Sequence, residues 1–473
     1  MFLDKMSIGK VPIEDAEDLK AGRRQKAMDK ILRKTFSWGK MAIKLKSTPQ
    51  RLAALFLGGV LAAMAQSPGP GASGKPAKVN DTFRPRGRHL IYVALPGSLE
   101  RAGWLNGVGI VVLDANDDYR FVKRIPTWEY AGSMSPEQVS GVAASPVTNL
   151  IYVAARGRLG AIDMGTDKMV WSVTLDGKCC ERPQVTPDGK IVVVGGDLQD
   201  YWYEVDARTG KLIGKLEAPE SPNSHNLNLS ADGKTAFMSP NNKVMTISDI
   251  NSRKVIKTIP FPDNVRVFVL NKDSTRIYAN NNNFLGFLIA DVATGQVTKS
   301  VEVTSVDWKS KWNVTPRPRV PHGCPSHGIA LTPDEKEIWL ADGIFKKIHI
   351  FSNTDDPKEI DTIDTPAGTY WITFGLDGKY AYASSGDIIE VNTHKVVAQM
   401  KDEYGHTMYS EKLLDITFDN GHAQRVSNQF ANGFGDYQTA EELGVGPHVT
   451  PMPGSAPITL TGVHAVQTKA ANQ

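Results

Sequence analysis

Short runs in which β-branched and aromatic residues alternate with polar ones recur along residues 88–400, each closed by a tight polar turn. A period of two marks a strand. Two landmarks repeat. In the first, a strand ends in an acidic turn and restarts on an apolar strand: VTPDGKIVVVGG from 185, LSADGKTAFMSP from 229, LNKDSTRIYANN from 270, LTPDEKEIWLAD from 331 and GLDGKYAYASSG from 375. In the second, a strand runs into a polar hairpin, as in AIDMGTDKMVW, EVDARTGKLIG, ISDINSRKVIK, IADVATGQVTK and IEVNTHKVVAQ; its Asp163, Asp206, Asp249 and Asp291 are spaced by 43, 43 and 42 residues.

Each unit therefore supplies four short strands joined by Asp-Gly or Thr-Gly type turns, a four-stranded antiparallel meander. One such sheet cannot bury both faces, whereas copies stacked around an axis can, so the pattern predicts a β-propeller rather than an open solenoid. Units begin near 140, 181, 224, 265, 326 and 369, and HLIYVALPG to FVKRIP forms an incomplete first unit that lacks its innermost strand. KLLDITF at 412–418 is expected to supply it, giving an all-β fold of seven four-stranded antiparallel blades over 88–430, with Lys412 or Leu414 at the channel. AQRVSNQF at 423–430 fits either an extra edge strand or the start of a C-terminal tail, which at 431–473 reads as mostly irregular.

Composition agrees with a packed, turn-rich domain: 41% hydrophobic residues, 42 glycines and 28 prolines in 473. The net charge of +3 is concentrated in the first fifty residues, so the body carries no nucleic-acid footprint. Three cysteines, two of them adjacent, cannot form a disulfide framework. From Met41 a basic segment, the apolar run Leu52–Ala65 and Ala63-Met64-Ala65 before Gln66 form the parts of a secretory signal. The apolar run is 14 residues, short of the roughly twenty a membrane span needs, so cleavage and release to the periplasm or medium, with no stable membrane span, is expected over the alternative of an uncleaved anchor behind a long cytoplasmic segment. Residues 1–40 form an N-terminal extension, with Met41 an alternative start, and 66–87 read as a disordered lead-in.

The segments LIYVAARG, RIYANNNN, EIWLADGI and YAYASSGD, each beside a TPDG-like turn and followed by hairpins such as VDARTGKLI, resemble the YVTN (YncE-like) family of bacterial propellers within the WD40/YVTN repeat-like group. The resemblance implies the fold; it does not name an activity, because such propellers serve many roles.

Candidate chemistry follows from register. Seven positions before each acidic turn should lie at the start of an innermost strand, beside the channel: Glu181, His225, Arg266, His327 and Tyr370, with Ser140 by analogy and Arg182 next to Glu181. These converge on one face and suit a small ligand or a protein partner; the simpler reading is the polar lining of a water-filled channel. The inserted loop PRPRVPHGCPSHG at 316–328 brings His322, Cys324 and His327 to that face, a candidate metal set set against a buried structural cysteine. Cys179 and Cys180 could form a vicinal disulfide, which together with AIDMGTDKMVW bears a distant similarity to quinoprotein dehydrogenases. No CxxCH, phosphate loop, HExxH or nucleophile elbow is present, so no cofactor is expected. The leading expectation is an exported binding or interaction scaffold; the alternative is an enzyme at the same mouth, a lactonase-like or metal-assisted hydrolase or, more remotely, an oxidoreductase.

Overall fold

A computed structural model describes residues 87–432 except 97–105, 129–138, 156, 177–179, 197–198, 220–223, 241 and 319. The expected leader, nearly all of the lead-in and the tail beyond 432 lie outside the described residues. Among the described residues twenty-nine strands form seven antiparallel sheets. Six are consecutive meanders, starting at inner strands β4 (Val139–Ser145), β8 (Glu181–Val185), β12 (Ser224–Leu229), β16 (Val265–Leu270), β20 (Ile329–Leu331) and β24 (Ile372–Phe374). The first sheet is closed by the chain's far end. Its inner strand β28 (Leu413–Asp419) pairs with β1 (His89–Pro96), with Tyr92 opposite Leu414, and β2 (Val108–Asp114) and β3 (Arg120–Ile125) follow outward. AQRVSNQF turns out to do two things. Its first residues lie in a fifth strand, β29 (His422–Val426), on the inner side of β28, and the rest turns into the channel.

Strand alternation buries both faces because each sheet packs between two neighbours. Apolar clusters between adjacent blades result among the described residues: Tyr92 and Val112 meet Val142 and Val153, Tyr152 and Trp171 meet Val194 and Tyr203, and at the closure Tyr382 and Ile388 meet Val93 and Leu113. Burial falls outward: β9 (Ile191–Gly195) is nearly all buried, whereas the outermost β27 (Lys395–Gln399) is almost wholly exposed. The acidic turns work as the sequence implies. Asp188 Oδ1 accepts from Thr186 Oγ1 at 2.6 Å and from the Lys190 amide at 3.1 Å, a pattern repeated by Asp232 and Asp334.

The channel is not the water-filled bore the repeat suggests. Ser427–Asn432 runs into it and hydrogen-bonds every blade. Ser427 Oγ accepts from the Asp415 amide at 2.8 Å, Gln429 Oε1 from the Val142 amide at 2.8 Å, and Asn428 Nδ2 donates to Gln184 Oε1 at 2.9 Å. Asn432 donates to Asn228 at 3.0 Å and accepts from the Leu270 amide at 2.9 Å; the Ala431 carbonyl accepts from the Leu331 amide at 2.9 Å, and that of Gln429 from Thr373 Oγ1 at 3.1 Å. Inner strands present unpaired amides and polar side chains toward the axis, which must find partners when buried. This segment supplies them, and it closes the channel beyond the starts of the inner strands.

Candidate functional site

At the end where the inner strands begin, the expected mouth residues gather into a largely buried polar cluster, the cup. Close approach of those strands depends on two glycines: a Cβ on Gly141 would stand 2.4 Å from the Arg182 backbone, and one on Gly328 would stand 2.7 Å from the Tyr370 carbonyl. Arg182, fully buried and left-handed at φ 43°, is directed inward. Its Nη1 pairs with Glu181 at 2.6 Å and lies 3.3 Å from His225 Nδ1, its Nη2 is 4.0 Å from Glu411, and its guanidinium sits 5.1 Å from the Trp371 ring centroid. His225 also bonds Glu181 directly. Burial pushes the Glu181 carboxyl up, but Arg182, His225 and Lys412 together outweigh it and hold the group at about 2, fully ionised at neutral pH.

The inserted loop forms the opposite wall. His322 occupies a left-handed position, φ 62°, in the tight turn Pro321–Gly323. Its Nε2 lies 2.7 Å from Glu411 Oε1, and Glu411 Oε2 accepts from Lys412 Nζ at 2.8 Å. The His322 and His327 rings stack with centroids 3.5 Å apart and planes 5° from parallel. His327 is wholly buried, and neither ring nitrogen has a hydrogen-bond partner. Burial first, then the neighbouring His322, pushes its pKa well below the usual imidazole value, so it is neutral. Trp371 forms the floor: it stands 6.3 Å from His327, packs on Phe430 at 5.1 Å and donates its indole N–H to the Gln429 carbonyl at 2.7 Å.

Of the residues expected at the mouth, Glu181, Arg182, His225 and His327 come together, with Tyr370 beside them, its ring 6.0 Å from His322 and its hydroxyl donating to the Gly343 carbonyl at 3.3 Å. Arg266 and Ser140 are engaged separately: Arg266 Nε donates to Asn282 at 2.5 Å, and Ser140 donates to the Cys180 carbonyl. Cys180 is buried and disulfide-bonded, while Cys179 lies outside the described residues. Cys324 is a buried thiol outside any disulfide, and it does not join the group formed by His322, His327 and Glu411. Trp171, Trp339 and Tyr382 are buried packing residues.

Glu411 is the residue the repeat did not reveal. It precedes β28, outside the acidic-turn register, and the uncertainty between Lys412 and Leu414 hid it; placing Lys412 at the mouth would have exposed its neighbour. Lys412 does occupy the mouth, through its bond to Glu411.

No family model matches this chain, and neither does any curated protein. Among solved structures 1830 chains match. One, from "Crystal Structure of Mitotic Checkpoint Complex", aligns with a TM-score of 0.50 at 13% identity, covering 72% of this chain and 94% of that chain. At that identity the likeness shows fold alone, that of a seven-bladed β-propeller. Among the described residues no helix is long and apolar enough to cross a membrane.

Proposed function

We propose that this chain is an exported, YVTN-type binding propeller whose cup holds a small polar ligand bearing a carboxylate or similar anionic group. The YVTN-like repeats and the leader-like segment at 41–65 support the family and the export. One observation carries the ligand class. Both cup carboxylates are already engaged by cations, Glu181 by Arg182 and Glu411 by Lys412, while the buried Arg182 Nε has no partner. A buried guanidinium donor within the cluster is satisfied best by an anionic acceptor. Trp371 below and Tyr370 beside it add apolar surface for the carbon skeleton.

The test is a thermal-shift screen of the full chain, treated with chelator, against small mono- and dicarboxylates. At least one should raise the melting temperature of the wild type but not of Arg182→Gln or Lys412→Gln. A panel that shifts none of the three proteins, or shifts all alike, contradicts the reading.

A further inference from the structure

We propose that His322, His327 and Glu411 form a site for one divalent transition-metal ion of the zinc or copper type. One ligand atom from each lies within 4.8 Å of those of the other two. The three come from separate parts of the chain: His322 from the inserted turn, His327 from the segment leading into β20, and Glu411 from the segment leading into the closing strand β28. Nothing in the repeat requires these side chains to meet.

His327 is the decisive residue. A wholly buried imidazole with both nitrogens unpartnered forfeits its solvation without return, a state that calls for a ligand. Stacking against His322 supplies packing but no bond for the nitrogens, because a ring's lone pair lies in its plane. Two imidazoles and one carboxylate are the ligand set of borderline ions, whereas calcium and magnesium prefer all-oxygen shells. The ion would replace the 2.7 Å contact between His322 Nε2 and Glu411 Oε1 with two coordination bonds.

Parallel rings hold their nitrogen lone pairs in separate parallel planes, so one ring must tilt for both to converge on one ion. His322 is the ring placed to do so, since its side chain is partly exposed whereas His327 is wholly buried. Its side chain is 16% exposed, against 0% for Glu411, which places the route of approach on the His322 side. Lys412, bonded to Glu411 Oε2, leaves Oε1 for the ion and orients the carboxylate. Three protein ligands leave at least one coordination position open toward the cup, where the anionic group of the ligand proposed above could bind. The inference deepens that reading and rests on it only for this last step.

Full chain prepared without affinity metal and stripped with chelator should be titrated with Zn2+ and Co2+, using calorimetry, elemental analysis and the visible spectrum of bound Co2+. One ion per chain is expected, with binding weakened at least tenfold in His327→Gln and in the more exposed His322→Gln, and unchanged in Cys324→Ser. If His327→Gln fails to fold, His322→Gln decides. Absence of stoichiometric binding, full binding by the foldable histidine variant, or a loss in Cys324→Ser equal to that in the histidine variants overturns the assignment. The two proposals fail separately: a carboxylate shift that persists in a chain unable to bind metal sinks only the metal site, and metal binding without any carboxylate shift sinks only the ligand reading.

Discussion

The indole N–H of Trp371 donates to the backbone carbonyl of Gln429 at 2.7 Å, tying the floor of the cup to the segment that fills the channel. The ring beside it, Phe430, is 1% exposed and packs between Trp371 and Phe268. Phe430→Ala should therefore lower unfolding free energy by about 3–5 kcal/mol, the usual cost of emptying a buried aromatic site. It should also weaken ligand binding in the cup. Denaturant unfolding checks the first expectation; a loss below about 1 kcal/mol would mean that the segment merely lies in the channel without supporting it.

Neighbouring blades are also joined by charge. Arg253 bonds Glu204, whose side chain is fully buried and whose carboxyl burial pushes up. Arg253→Ala leaves that carboxylate without its cation and should cost about 1–3 kcal/mol, the penalty of an unsatisfied buried acceptor beside a half-exposed partner. The double variant Arg253→Ala, Glu204→Gln should recover part of the loss, since the charge is gone. A double variant no more stable than the single one would show that the pair acts through packing.

Two glycines with different surroundings give opposite forecasts. At Gly141 a methyl group collides with the Arg182 backbone, so Gly141→Ala should separate the second and third blades and disable the cup. At Gly157 a Cβ meets nothing within 4 Å, and only the left-handed φ of 78° penalises alanine, by about 1 kcal/mol. Thermal unfolding of both variants, with ligand binding measured alongside, separates collision from backbone strain.

His349 supplies a pH dependence. It is buried between Asp342, at 3.2 Å, and Glu359, at 2.7 Å. Burial works against the imidazolium, but the two carboxylates outweigh it, and the pKa is raised. A raised folded-state value stabilises fully below the unfolded value near 6.5 and is lost as pH rises through the folded one. Stability of the wild type should thus decline above pH 6.5 relative to His349→Gln, measured by denaturant melts across pH 6–9. Parallel curves would contradict it.

The ring of seven blades was legible because local chemistry repeats: the Asp turn needs Thr or Ser two residues before and an amide two after, and both are written into TPDGK, SADGK and TPDEK. Closure by 412–418 was legible because the first unit visibly lacked a strand. The filled channel was not, because SNQFAN carries no repeat and is specified by seven separate partners across the chain. Register counting also found Glu181, His225 and His327 at the cup. It could not find Glu411, whose place depends on where the closing strand starts, nor show that Cys324 would turn away while His322 turned in.

The central claim is that binding occurs in the cup. Its most direct test is amide hydrogen exchange of the full chain with and without the best carboxylate from the screen. The account predicts protection confined to the cup walls, residues 180–184, 224–227, 320–328 and 409–414. Protection centred instead on the outer strands or the blade edges, with the cup unchanged, would contradict it.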